Sequence, residues 1–166
     1  MIALLLFIIL VYYSYLSMIY VLFGIPVSIS QTFYLLQAKY EGTGFIFTWW
    51  LLFLALLVEI LVLALNISLI SNIIMTIATI CLTITAFTPF YHSPEEKDIH
   101  PIAAAIAIVF SIIWTVLLGY WLIPLLVICG TAFMARNSKS MTFYIENSAF
   151  ISLFTALYLY ILGSHV

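Results

Sequence analysis

The sequence predicts an all-helical integral membrane protein, a single domain of residues 1–166 that forms a bundle of six transmembrane helices. Of the 166 residues, 67% are hydrophobic and 6% are charged, whereas a water-soluble domain needs roughly a quarter of its residues charged. The mean hydropathy is +1.32, and stretches apolar enough to cross a bilayer fill most of the chain. Lipid is therefore the expected solvent.

Apolar stretches separated by polar residues, glycine or proline define the predicted spans. The spans are 1–23, 45–65, 67–89, 102–118, 120–135 and 141–162. The first begins without the basic residues or cleavage site of a signal peptide, so we expect it to stay in the protein. The fourth and fifth are short, and we predict a turn between them at Gly119 because one helix through both would be too long for the bilayer.

Two loops carry helix signals of their own. The first loop, residues 24–44, is too long for a simple turn, and we expect a short interfacial helix in it that Ser30 caps and Gly42 ends. The third loop contains Ser93-Pro94-Glu95-Glu96, which has the spacing of a capping box. A further helix start is predicted over residues 98–101.

All basic residues fall on one side of the predicted bundle. Lys39 lies in the first loop, Lys97 in the third, and Arg136 and Lys139 in the fifth. By the positive-inside rule these loops are expected to face the cytoplasm, with both termini outside. The net charge of −2 and the lack of a basic run argue against nucleic acid. Membrane lipids are the expected partners, with a second copy of the chain or a larger membrane complex as further candidates.

Glu59 in the second span is the most informative single residue, because a charge in hydrocarbon is costly. It shares a helical face with Ala55 and Asn66. Polar residues also recur along one face of the third span, at Asn72, Thr76, Thr79 and Thr83. We expect the two faces to meet. A protonated Glu59 would then link the helices by a hydrogen bond, or alternatively it would relay protons or cations.

The predicted working surface is a pocket between loops one, three and five, lined by Ser28, Ser30, His92, Asp98, His100 and Glu146. The candidate ligand-binding residues, those near this surface together with the intramembrane polar pair, are Ser28, Ser30, Glu59, Asn72, Arg136 and Glu146. A simpler interpretation of Glu146 is an ion pair with Arg136 or Lys139 near the interface. Cys81 and Cys129 lie in apolar runs, which predicts buried thiols rather than a disulfide.

The third loop also concentrates imidazoles and carboxylates. His92, Glu95, Asp98 and His100 could hold zinc with an open water position. Their spacing matches no established zinc signature, and helix capping and solvation explain the same residues. The metal site is therefore the alternative, and no cofactor is the first expectation.

Three stretches resemble the small six-span bacterial membrane proteins of the domain of unknown function 998 family. They are Ser28-Ile29-Ser30-Gln31-Thr32-Phe33-Tyr34, His100-Pro101-Ile102-Ala103-Ala104-Ala105 and Phe143-Tyr144-Ile145-Glu146. The resemblance implies six helices, loops one and three close together, and a bacterial inner membrane, but no activity. Gln31 stands where many relatives have an acidic residue, which weakens a catalytic role for that loop.

The sequence therefore favours a non-enzymatic role. A small bundle with one intramembrane acid and no recognisable catalytic set suits binding or transport of a lipid or small amphiphile, or a place as a subunit in a membrane assembly. The alternative is a membrane-embedded, metal-dependent hydrolase that uses the His92 to His100 loop.

Overall fold

A computed structural model describes residues 1–90 and 99–163 of the chain. All regular structure in these residues is helical. The helices are α1 (Ile2–Phe23), α2 (Gln31–Lys39), α3 (Phe45–Leu65), α4 (Leu69–Phe87) with a 3-10 turn (Thr88–Phe90), α5 (Ile99–Leu117), α6 (Leu122–Ala135) and α7 (Met141–Gly163).

Five of these helices, α1, α3, α4, α5 and α7, are long and apolar enough to cross a membrane. The fifth predicted span corresponds to α6, which is apolar but has only 14 residues. At 1.5 Å per residue it is about 21 Å long, shorter than the roughly 30 Å hydrocarbon core. The length of α6 alone therefore does not make it a span.

The five long helices form a closed ring. Around it α1 contacts α3, α3 contacts α4, α4 contacts α5, α5 contacts α7, and α7 returns to α1. The shorter α6 packs on α7 and touches α5, so it lies outside the ring. The core lies inside the ring, where Leu54, Leu61 and Leu157 are fully buried.

The outer surface of the ring is also apolar. Val21 in α1 is 81% exposed and Leu69 in α4 is 76% exposed, and large aliphatic and aromatic side chains are exposed along every long helix. A monomer in water rarely shows apolar surface on this scale. Helices of this length with such a surface are those of an integral membrane protein.

The turns between helices follow local backbone rules. At the α3–α4 turn Asn66 has a φ of 46°, and the Ser68 hydroxyl accepts a hydrogen bond from Ser71 N at 3.1 Å. The predicted break between the fourth and fifth spans is present at Gly119, whose φ is 86°. Because a left-handed backbone favours glycine, α5 ends there and α6 starts three residues later.

The predicted capping of α2 is wrong in detail. Ser30 makes no side-chain cap bond, and it is the Ser28 hydroxyl that accepts a hydrogen bond from Gln31 N, at 3.1 Å. The helix ends at Lys39 because Tyr40 is extended. Gly42 lies beyond it, with a φ of 80° in the following turn. Ser30 is not needed as a cap because the Ser28 hydroxyl already accepts from the first free N–H group of α2, that of Gln31.

One end of the ring gathers the first loop, the 3-10 turn after α4 and the α6–α7 turn. Phe143 N in α7 donates to Val27 O at 2.9 Å, and Thr48 in α3 donates its hydroxyl hydrogen to Ala86 O at 2.9 Å. We call this the basic end, because Lys39, Arg136 and Lys139 belong to it. Lys97, the fourth basic residue, lies outside the described residues.

Candidate functional site

A cavity lies inside the ring between α3, α4, α5 and α7. It leaves about 70 Å³ for the centre of a water-sized sphere, and all the space between its atoms, open solvent at the mouth included, amounts to about 700 Å³. On α3 its lining runs from Phe47 to Val58, about 16 Å along the helix axis at 1.5 Å per residue. Small side chains leave this space open, since four of the lining residues are alanines: Ala78, Ala104, Ala107 and Ala149.

The polar residues of the cavity differ in whether their hydrogen bonds are already made. Thr85 donates to Cys81 O at 2.9 Å, and Ser111 donates to Ile108 O at 2.8 Å. These hydroxyls are satisfied by their own helices and add little polarity to the wall. Ser30 and Glu146, both at the basic end, are lining residues whose polar atoms are not taken up by a bond within their own helix.

Glu146 lies in the second turn of α7 and is joined to the first loop. Its Oε2 accepts a hydrogen bond from Ile29 N at 2.6 Å. The ion pair with Arg136 or Lys139 is not formed in the part of the chain that the structure describes. Arg136 instead lies over the Phe133 ring, with its guanidinium carbon 4.6 Å from the ring centre. Both cations are exposed, where solvation competes with pairing.

A tyrosine network next to the site was not predicted from the sequence. Tyr12 is fully buried and donates to Asn147 Oδ1 at 2.6 Å. The Tyr15 and Thr32 hydroxyls lie 2.6 Å apart, and the Tyr15 ring stacks on Trp50. The position of Tyr12 and Tyr15 within the first span could have predicted this network. A tyrosine away from the membrane interface needs a buried hydrogen-bond partner for its hydroxyl.

Glu59 lies in the α3–α4 interface and does not line the cavity. Thr76 donates to its Oε1 at 2.6 Å, and Thr79 Oγ1 lies 2.9 Å from its Oε2. The predicted meeting of the two polar faces is therefore observed. Thr79 Oγ1 is also 3.0 Å from Thr76 O, so its single hydrogen has two acceptors in range. Thr79 lies within hydrogen-bond distance of Glu59 and also lines the cavity.

The other predicted ligand-binding residues are not brought to the cavity. Ser28 caps α2, Arg136 is exposed, and the buried Asn72 Oδ1 has no hydrogen-bond partner among the described residues. Of the six candidates only Ser30 and Glu146 line the cavity. The sequence placed them on one side of the membrane, but it contained no signal that separated them from the rest.

Of the four predicted zinc ligands, His92, Glu95 and Asp98 lie outside the described residues. His100 lies in the first turn of α5, where its Nδ1 is 2.6 Å from Thr88 Oγ1. Within residues 1–90 and 99–163 no three His, Cys, Asp or Glu side chains come together. The zinc site therefore stays a prediction.

The cysteines correct a smaller expectation. Both are free, but Cys129 is exposed and Cys81 only partly buried. The prediction of two buried thiols is therefore wrong. Cys129 belongs to α6, which packs outside the ring, so an apolar run that looks like core in the sequence forms an outer surface in the fold.

No family model, no curated protein and no solved structure matches this chain. The site is therefore interpreted from its own geometry.

Proposed function

We propose that this protein is a six-span protein of the bacterial inner membrane that binds a lipid or small amphiphile with a single chain in the cavity of its ring. The observation that carries this proposal is the distribution of polarity in the cavity. Along about 16 Å the wall is apolar or internally satisfied, while Ser30 and Glu146 lie at the basic end. An amphiphile has the same division into a long apolar part and one polar end.

The proposed membrane arrangement places the basic end in the cytoplasm and both termini outside. In it α2 lies along the interface, since Phe33 and Leu36 are buried while Tyr34 and Lys39 are exposed. The short α6 serves as the fifth span. Its apolar stretch can be matched to the bilayer by local thinning and by flanking interfacial residues.

Filling the cavity tests the proposal. In Ala107→Leu the new side chain occupies cavity space, whereas in Ala105→Leu, on the exposed side of the same helix, it faces outward. We expect Ala107→Leu to weaken dodecanol binding about tenfold or more, and Ala105→Leu to leave it unchanged. Native mass spectrometry of protein released from nanodiscs would count bound alcohol. Equal binding by both variants would contradict the proposal.

Chain length gives a second measurement in the same assay. Each methylene that moves from water into the cavity contributes about 0.8 kcal/mol. The affinity for a series of alcohols, referred to their concentration in water, should therefore rise with chain length until the cavity is filled and then level off. A steady rise without a plateau would indicate partition into surrounding lipid instead of a bounded site.

A further inference from the structure

Among the residues that the structure describes, the polar end of the cavity contains an acid and no base. Glu146 is the charged residue of the lining. The described basic side chains are engaged or directed elsewhere, since Lys39 Nζ donates to Leu22 O at 3.3 Å and Arg136 lies over Phe133. Among the described residues, the acidic side chain that a ligand in this cavity meets is therefore that of Glu146.

Among the described residues, one of the two carboxylate oxygens of Glu146 accepts a hydrogen bond. Oε2 accepts the hydrogen bond from Ile29 N, and Oε1 has no partner in the described part of the chain. Ser30 Oγ, in the same lining, likewise makes no side-chain cap bond. Two acceptors are thus available at one end of an apolar cavity. A buried charge without a partner is costly, and a cation held there would offset that cost.

We propose that the head group bound at this end is a primary ammonium, so that the ligand class is a long-chain amine with one alkyl or acyl chain. This inference depends on the proposed function. An ammonium has three N–H donors and no acceptor, which suits Glu146 Oε1 and Ser30 Oγ, and its hydrogen bonds to a carboxylate are charge-assisted. A ligand with a hydroxyl head group would lack the attraction between charges. A ligand with a carboxylate head group would bring a second negative charge next to Glu146 in a medium of low dielectric constant.

Three probes with one tail test this inference. Dodecylamine, dodecanol and dodecanoate would each be titrated at neutral pH into the protein in nanodiscs, with bound ligand counted by native mass spectrometry. We expect dodecylamine to bind about tenfold or more tightly than dodecanol, and dodecanoate to bind least.

Glu146→Gln is the decisive variant. The amide oxygen can still accept from Ile29 N, but the charge is gone, so the preference for dodecylamine over dodecanol should disappear. Glu59→Gln is the matched control, because the same change is made at the intramembrane acid that does not line the cavity. It should leave the amine preference intact.

The outcomes separate the two proposals. Equal binding of all three probes to the wild type, with loss of binding in Ala107→Leu, would overturn the ammonium inference and support the amphiphile cavity. Preference for dodecanoate would also overturn it, since Glu146 would then act as a neutral donor. If no probe binds, or if all bind Ala107→Leu unchanged, both proposals fail.

Discussion

At the scale of single residues, the carboxyl groups of Glu59 and Glu146 obtain their hydrogen bonds from different partners. Glu59 is held between α3 and α4 by two threonines of one helix face. Glu146 accepts a hydrogen bond from a backbone N–H of a distant loop and lines the cavity. A polar group in hydrocarbon needs a partner. Glu59 has its partners within the protein, whereas Glu146 leaves room for a ligand.

The Thr76 hydroxyl should contribute measurably to helix association. Thr76→Val removes the donor to Glu59 Oε1, and we expect it to lower the free energy of unfolding by about 1 kcal/mol, the usual size of an interhelical hydrogen bond in membranes. Thr83→Val is the matched control, because the Thr83 hydroxyl bonds only to Thr79 O of its own helix. Reversible unfolding in mixed micelles would measure both, and equal costs would rule out an interhelical role for Thr76.

At the scale of elements, two glycines near the α5–α6 turn differ in whether the backbone requires them. They are Gly119, in the turn itself, and Gly130, inside α6. Gly119 is left-handed, and this conformation separates two apolar helices that would otherwise continue as one. Gly130 lies within α6, where an added Cβ would meet nothing within 4 Å. The first glycine is required by backbone geometry, and the second is not.

Alanine substitution should distinguish these glycines. Gly119→Ala puts a Cβ on a left-handed residue, which costs roughly 1–2 kcal/mol, so the free energy of unfolding should fall by that amount. Gly130→Ala in a helix interior should be neutral or stabilising by up to about 1 kcal/mol. Thermal unfolding followed by circular dichroism would compare them. If Gly119→Ala unfolded at the same temperature as the wild type, the turn between α5 and α6 would not depend on a positive φ at residue 119.

At the scale of the whole molecule, the cavity depends on closure of the ring. The four cavity helices come from both halves of the chain, and α1 completes the ring between α3 and α7. The first loop then reaches α7, where Ile29 N meets Glu146 across 117 positions of sequence. The polar end of the cavity is therefore built from residues that only the complete ring brings together.

Labelling from each side of the membrane would test the proposed topology. In a variant without Cys81 and Cys129, single cysteines would replace the exposed residues Ser68, Trp121 and Ser138. If α6 crosses the membrane and the basic end is cytoplasmic, an impermeant maleimide should label Ser68→Cys and Trp121→Cys in intact cells and Ser138→Cys only in inside-out vesicles. Labelling of Trp121→Cys and Ser138→Cys from the same side would exclude α6 as a span.

Composition and residue pattern alone predicted the lipid environment, the helices and the contact between Glu59 and the threonine face of α4. These depend on composition, on the length of apolar stretches and on helical periodicity, which are properties of neighbouring residues. The resemblance to the domain of unknown function 998 family and the zinc loop stay predictions.

Three further features became visible in the folded protein: α6 lies outside the ring, Glu146 bonds to Ile29 and not to Arg136, and four alanines line a cavity. Periodicity shows which residues share a face but not which helix that face meets. That choice is made by packing between helices far apart in the chain.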